Sequence, residues 1–308
     1  MVKNSLLKYS VERLLYEANP EGDTFFGATA FNKMIFLLYK RLLTADIDIK
    51  LPYYWYLQGS LIEENQFEED VGQSREFYIT SDRSSRKMTR VPKSSVPEDL
   101  QRQIDDQIQS LVQNYRQTSG FFKKGYISLL LDDVYSQAPY EFQRTFNRGL
   151  VPFLDSIHDP ERVKNKTSFS LNDAEKDKIE TLLDDSFRVF PQCDMRRIYD
   201  TYVDWDDTIR ITLESSERQI FPITKNFWDF FCHNLRILQN ENLPSDLIRQ
   251  WDSRFIENVL PKYQDGLEKT RKTLLQRWRK SQNEDREIEN VVNKLNFISR
   301  NNLNQSDT

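Results

Sequence analysis

Four carboxylates that lie close together in the sequence are the residues best suited to metal-dependent chemistry. Asp204, Asp206 and Asp207 occur in the stretch DWDD, and Glu214 follows a short way along the chain. Oxygen ligands of this kind hold Mg²⁺, which could activate a phosphodiester for cleavage or transfer. The aspartates could instead cap a helix, because carboxylates accept hydrogen bonds from the free N–H groups of a first turn. We favour capping and predict no bound metal, so a Mg²⁺-dependent nuclease or phosphotransferase is the alternative function.

Other catalytic groups are sparse in this chain. It has two histidines, His158 and His233, and they are not spaced to bind zinc together. His158 is expected to lie at a helix end, and His233 in FWDFFCHNL to pack within an aromatic helix. The sequence contains no GxSxG, GxGxxG or GxxxxGK[ST] motif, so nucleophile elbows, dinucleotide sites and P-loops are not indicated. We therefore expect no catalytic residue and no cofactor.

A short basic segment is the main positive signal for a polyanionic partner. Its cationic side chains, with no acidic residue among them, are Arg83, Arg86, Lys87, Arg90 and Lys93. Lysine and arginine on a flexible segment beside a hairpin could contact the phosphates of DNA or RNA. The alternative is a solvated linker that charge repulsion keeps extended.

The stretch LPYYWYLQGSLIEE places four aromatic residues before a glycine. In a β-strand, alternate side chains point to opposite faces, so Tyr53 and Trp55 share one face while Tyr54 and Tyr56 share the other. We expect one pair to pack against the helix FNKMIFLLY and the other to be available to a partner. Gly59 is expected to make the turn towards a second strand in REFYIT. Further along, QAPYEFQRTF predicts a tight junction between helices.

Four residues are therefore predicted to bind a partner protein, two from the strand and two from the outer side of the helix junction. They are Tyr54, Tyr56, Arg144 and Arg148. Aromatic and arginine side chains are the types that contribute most to protein–protein interfaces.

The elements that position these residues are mostly helical. Apolar residues at three- and four-residue steps predict helices in residues 1–19 and 31–43, and almost throughout residues 98–308. Two helices followed by short strands suggest a winged-helix-like α+β module in residues 1–81. Residues 82–97 then form a basic linker or wing, and residues 98–308 a helical domain with a long C-terminal helix. Residues 193–215 remain ambiguous, because RRIYDTYV favours helix whereas TIRITLE alternates like a strand.

Two of these elements resemble the Panacea (SocA-like) antitoxin domains of bacteria. Lys33, Met34, Ile35 and Phe36 match the K-[LM]-[LIM]-[FY] core of that family's helix, and Trp55, Tyr56 and Gly59 match its aromatic stretch and glycine turn. Ser60 stands where the family usually has proline. The resemblance covers roughly residues 20–70. It implies a non-enzymatic module that binds a partner protein, often a toxin.

Composition limits the remaining possibilities. The net charge of −5 disfavours a protein that coats nucleic acid or an anionic membrane along its whole surface. Cys193 and Cys232 are far apart and form no CxxC motif, which indicates a reducing compartment. Without a signal-peptide pattern or a long apolar run, we expect a cytoplasmic protein that does not enter membranes. The predicted function is that of an adaptor or regulator, of the antitoxin or prokaryotic defence-accessory kind.

Overall fold

The described part of the chain is helical along most of its length. A computed structural model describes residues 4–18, 26–72, 84–85, 95–117, 122–158, 171–215 and 217–280. For these residues the prediction of a mainly α-helical protein with a small β component is confirmed. The strand predicted within REFYIT lies outside them, and so does the basic segment except for the backbone of Ser84–Ser85.

The helices and strands follow one another along the chain with short connections. The α-helices are α1 (Ser5–Ala18), α2 (Ala28–Thr44), α3 (Glu64–Val71), α4 (Glu98–Tyr115), α5 (Tyr126–Ser136), α6 (Glu141–Arg144), α7 (Val151–Ile157), α8 (Asp173–Arg188), α9 (Tyr199–Ser215), α10 (Ile220–Leu238), α11 (Ser245–Arg254) and α12 (260–280). The strands are β1 (Phe26–Gly27), β2 (Tyr53–Tyr56), β3 (Gly59–Ile62), β4 (Ser84–Ser85) and β5 (Asn240–Glu241). Short π-helical segments span Thr145–Leu150 and Phe255–Val259.

The chain forms two compact units, and each is built from two separate stretches of sequence. Unit 1 contains residues 1–144 and 229–257, and unit 2 contains residues 145–228 and 258–308. Residues 1–81, which the sequence predicts to be a module, all fall in unit 1. The predicted boundaries at 82–97 remain a prediction.

Helix α2 is the central helix of unit 1. Its wide apolar arc predicts burial on most sides, and Phe31, Met34, Ile35 and Leu38 are indeed almost completely buried. The ring of Phe36 meets Tyr53 and Trp55 edge-on, with ring centroids 5.0 and 5.6 Å away. The inward face of β2 therefore packs on α2, and the alternation predicted for the four aromatic residues is confirmed.

The sheet that carries these aromatics differs from the predicted one. Its strand order is β3-β2-β5, and both pairings are antiparallel. Gly59, with φ of +90°, does lie at the turn of the hairpin. The second strand is Gly59–Ile62, however, and not one in REFYIT. Tyr56 pairs with Gly59, which makes a tight hairpin. The third strand is Asn240–Glu241, so unit 1 takes one strand of its sheet from a stretch nearly two hundred residues later in the chain.

One carboxylate fixes β5 to the rest of unit 1. Glu241 accepts hydrogen bonds from the hydroxyls of Tyr39 at 2.6 Å and Tyr53 at 2.7 Å, and from the ammonium of Lys40 at 3.2 Å. Burial by itself raises the pKa of Glu241, but the hydrogen bonds from the two tyrosines and the charge of Lys40 outweigh it and lower that pKa. The ionised carboxylate is thus the form that holds β5 in place.

Unit 2 is built around a cluster of aromatic rings. Trp205 of α9 stacks on Phe227 with ring centroids 4.5 Å apart, and Phe146 stacks on Trp228 at 5.5 Å. The TIRITLE stretch is helical, and its strand-like alternation is a misleading signal. Thr208 and Thr212 are buried in the helix because each hydroxyl donates to the carbonyl four residues earlier.

Helix α8 begins with a capping box. The cap is Asn172, whose side chain accepts from the backbone N–H of Glu175, while the Glu175 side chain accepts from the backbone N–H of Asn172. This reciprocal pair satisfies two of the free N–H groups at the helix start.

Candidate functional site

Three of the four carboxylates predicted as alternative Mg²⁺ ligands are paired with arginines in unit 2. Asp206 is buried, and its carboxylate accepts from Nε of Arg210 at 2.8 Å. Asp204 and Asp207 both pair with Arg271 of α12, at 3.0 and 3.2 Å. These aspartates lie in the middle of α9, so the interpretation of them as helix caps is wrong.

A metal site is not formed by the residues that the structure describes. Within those ranges no three histidine, cysteine or acidic side chains are grouped to hold an ion. Glu214 is exposed near the end of α9. The ring of His158 stacks on Phe221 at 5.3 Å, which is a packing role at the end of α7.

The residues predicted to contact nucleic acid cannot be placed. Arg83, Arg86, Lys87, Arg90 and Lys93 all lie outside the described ranges, so nucleic-acid binding through them stays a prediction.

The four residues predicted to bind a partner have different surroundings. Arg144 ends α6 in unit 1 and is exposed, whereas Arg148 lies in the π-helical segment of unit 2 and is half-buried. Tyr54 and Tyr56 are half-buried on the face of β2 that points away from α2.

The outward tyrosines of β2 belong to an aromatic and cationic cluster in unit 1. The Tyr54 ring lies 5.0 Å from the ring of Trp251 in α11 and 6.3 Å from that of Tyr56. The Arg236 guanidinium of α10 lies 4.9 Å from the Trp251 ring and 5.5 Å from the Tyr56 ring. His233, one turn earlier in α10, meets Tyr56 edge-on at 5.5 Å. We call Tyr54, Tyr56, His233, Arg236 and Trp251 the Arg236 cluster.

Arg236 is held by ring faces instead of by an acid. Its Nε atom is buried without a hydrogen-bond acceptor, and within the described ranges no carboxylate forms an ion pair with it. Burial lowers the pKa of Arg236 below the ordinary arginine value, and the positive charge of Arg254 acts in the same direction. The guanidinium is still charged, because an arginine side chain does not lose its proton in proteins.

His233 links the cluster to a nearby acid. Its Nε2 atom lies 3.2 Å from the Tyr56 hydroxyl and 3.9 Å from the carboxylate of Asp229. Burial lowers the pKa of His233, and the charges of Arg236 and Arg254 lower it further, while Asp229 opposes them. The imidazole is therefore predominantly neutral near pH 7, and the arginines carry the positive charge here.

The apolar side of α11 beside the cluster is only partly covered. Helix α11 has no buried residue, and its apolar side chains Leu247, Ile248 and Trp251 are all half-exposed. Ile256, which follows in the π-helical segment, is 51% exposed, and Leu238 at the end of α10 is 39% exposed. A helix with an apolar side normally buries that side against its own protein.

A buried lysine lies below the hairpin at the edge of the same sheet. Lys33 is 1% exposed, and its ammonium nitrogen donates to the backbone carbonyl of Ser60 at 2.7 Å. Burial lowers the pKa of Lys33 to about 7. Lys33 also lines a pocket of about 490 Å³ to which Tyr54, Tyr56 and Leu61 contribute. The lysine thus holds the turn, because it joins α2 to the start of β3.

Sequence reasoning found half of this site. The period-two pattern of β2 indicates Tyr54 and Tyr56, but nothing in the sequence connects them with Arg236 or Trp251. Lys33 did leave a signal, since it is a lone lysine within the broad apolar arc of α2. A cation at a position that the helical period assigns to the core requires a specific acceptor.

Among the helices that the structure describes, none combines the length and the apolar character needed to cross a bilayer. Comparisons of the chain with protein-family models, with curated proteins and with solved structures find no match.

Proposed function

We propose that this chain is a non-catalytic adaptor or regulatory protein that binds a partner protein through the Arg236 cluster and the adjoining apolar side of α11. The observation that supports this most is the half-exposed apolar side of α11, formed by Leu247, Ile248 and Trp251, whose tryptophan ring packs on Tyr54 of β2. Tryptophan, tyrosine and arginine are the residues that carry most of the binding free energy at protein interfaces.

The geometry of the cluster suits binding better than catalysis. Its rings and guanidinium are held by one another, so little side-chain entropy is lost when a partner covers them. Arginines neutralise the carboxylates of the alternative function, and no observation favours a nuclease. The winged-helix-like character of residues 1–81 and an antitoxin-like role remain predictions that this proposal does not require.

Site-specific photo-cross-linking in the native cell tests the proposal. A benzophenone amino acid in place of Leu247 is expected to form a covalent adduct with a second protein. The same amino acid in place of Gln103, which is exposed on α4 of the same unit, should form no such adduct. Adding Trp251→Ala should reduce the adduct at Leu247 at least about fivefold, because a central aromatic residue contributes upwards of about 1 kcal/mol to an interface. Equal labelling from both positions, or none from Leu247, would reject the proposal.

A further inference from the structure

The arginines on the described surface show what is unusual about Arg236. Arg13 of α1 pairs with Asp105 of α4 at 2.9 Å, and Arg210 pairs with Asp206 and Asp184 at 2.8 Å each. These arginines are partly or largely buried, and each has a carboxylate that offsets the loss of water. Arg236 is also partly withdrawn from water, yet its guanidinium lies over two aromatic rings, and no carboxylate in the described ranges forms an ion pair with it.

The surroundings of Arg236 leave a place for an anion. The guanidinium carbon lies over the rings of Trp251 and Tyr56, and Nε is buried, so we expect an outside ligand to bind the two terminal amino groups. Those groups form a fork that matches the two oxygens of a carboxylate. Neighbouring rings keep water away from such a pair, which strengthens it.

The charges around the fork favour a single carboxylate. Arg254 adds a second positive charge near Arg236, and Asp229 adds one negative charge, so the excess positive charge is small. The whole chain has a net charge of −5, which repels a polyanion such as DNA or RNA at long range. Leu247 and Ile248, about one turn before Trp251 on α11, are half-exposed and offer apolar contact to the residues that flank an acid.

We propose that Arg236 determines the specificity of this surface by binding an aspartate or glutamate side chain of the partner protein, one flanked by apolar or aromatic residues. The inference rests on the proposed function, since it names the chemistry of the partner at the same surface. In the bound state the carboxylate lies edge-on to the guanidinium, while the flanking residues cover Trp251 and the apolar side of α11.

Selection from a random twelve-residue peptide library on the full chain tests this inference. The selected peptides are expected to be enriched in an acidic residue next to apolar or aromatic ones. A synthetic consensus peptide should bind at least about tenfold more weakly to Arg236→Met, and severalfold more weakly to Arg236→Lys, which keeps the charge but loses the fork. The matched control is Arg249→Met on α11, whose guanidinium pairs with Asp246, and it should change the affinity less than twofold.

The outcomes separate the inference from the proposed function. Peptides without an acidic residue that lose affinity for Trp251→Ala but not for Arg236→Met would overturn the inference and leave the proposed function standing. If none of the selected peptides loses affinity for Trp251→Ala, the inference and the proposed function are both rejected. Displacement of the peptide by a twelve-nucleotide oligothymidylate at equal concentration would also overturn the inference, because the site would then prefer phosphates. Circular dichroism of each variant checks that its helices are intact, and Arg236→Lys keeps the test decisive if Arg236→Met unfolds.

Discussion

At the scale of single residues, some contacts can be predicted from the neighbouring sequence, whereas others are made by residues far away along the chain. The alternation in β2 predicts that Tyr53 and Trp55 point inward, and their exposures of 3% each confirm it. Trp251 and Arg236 contact the outward residues of the same strand from positions nearly two hundred residues later in the chain. A contact of this kind has no period or motif in the sequence, so only the fold shows it.

Lys33 gives a prediction at the scale of one residue. Folding lowers the pKa of its amine to about 7, whereas the unfolded chain keeps the ordinary value near 10.5. Between those pH values the unfolded state holds one more proton, so the free energy of unfolding should rise with pH across this window. In Lys33→Met this pH dependence is absent. The free energy of unfolding of the wild type should therefore rise, relative to that of the variant, by up to about 1.4 kcal/mol per pH unit.

Urea unfolding at pH 6 to 10 measures this difference. The lost hydrogen bond to Ser60 shifts the variant by a constant amount, so the slope against pH, rather than the offset, identifies Lys33. Lys124→Met, at an exposed position in unit 1, should follow the wild type. Parallel curves for wild type and Lys33→Met would mean that the amine stays charged in the folded protein.

At the scale of elements, periodicity predicts helices well and strand partners poorly. The apolar steps in residues 98–115 predict α4 with its observed bounds, Glu98–Tyr115. The TIRITLE stretch is misleading, because hydroxyl groups that bond within the helix let threonines be buried there. The sequence predicts the hairpin turn at the correct place, but the second strand begins at Gly59 itself and not in REFYIT. Which strand pairs with which depends on packing that the local pattern does not contain.

The β2–β3 hairpin yields a prediction about Gly59. A Cβ at this position would lie 2.9 Å from Cγ1 of Val134, and the backbone has a positive φ. Gly59→Ala should therefore destabilise the protein by about 2–4 kcal/mol, through backbone strain plus the clash. Gly125→Ala has φ of +79° but open space around it, so it should show only the strain, about 1–2 kcal/mol. Equal losses in chemical denaturation would show that Val134 moves aside without cost.

At the scale of the whole molecule, the order of residues along the chain does not show which of them fold into the same unit. The linker-like composition of residues 82–97 predicts a boundary there, which stays a prediction. Unit 1 contains residues 1–144 and also residues 229–257. The contacts that complete the unit, such as the Glu241 hydrogen bonds to Tyr39 and Tyr53, join distant positions. Composition describes neighbours along the chain, so it cannot indicate a unit that is assembled from two separate stretches of sequence.

Cutting the chain at the predicted boundary tests this organisation. A fragment of residues 1–97 lacks α4, α5 and β5, so the core side chains of α1 and α2 are left without their partners. We expect it to show no cooperative thermal unfolding. Co-expression with a fragment of residues 98–308 should restore a cooperative transition and co-purification of the two pieces. A cooperative transition in residues 1–97 alone would establish that region as an independent domain.

The pairing of β2 with β5 also sets an order of events during synthesis. Tyr53 and Glu241 are 188 residues apart, so the ribosome completes the hairpin long before the strand that covers its other edge. At about 5–20 residues per second, that delay lasts on the order of ten seconds or more. Throughout this time the nascent chain carries an open strand edge with the four aromatic residues of β2. A chaperone that shields exposed strands has its natural target there until the last part of unit 1 is made.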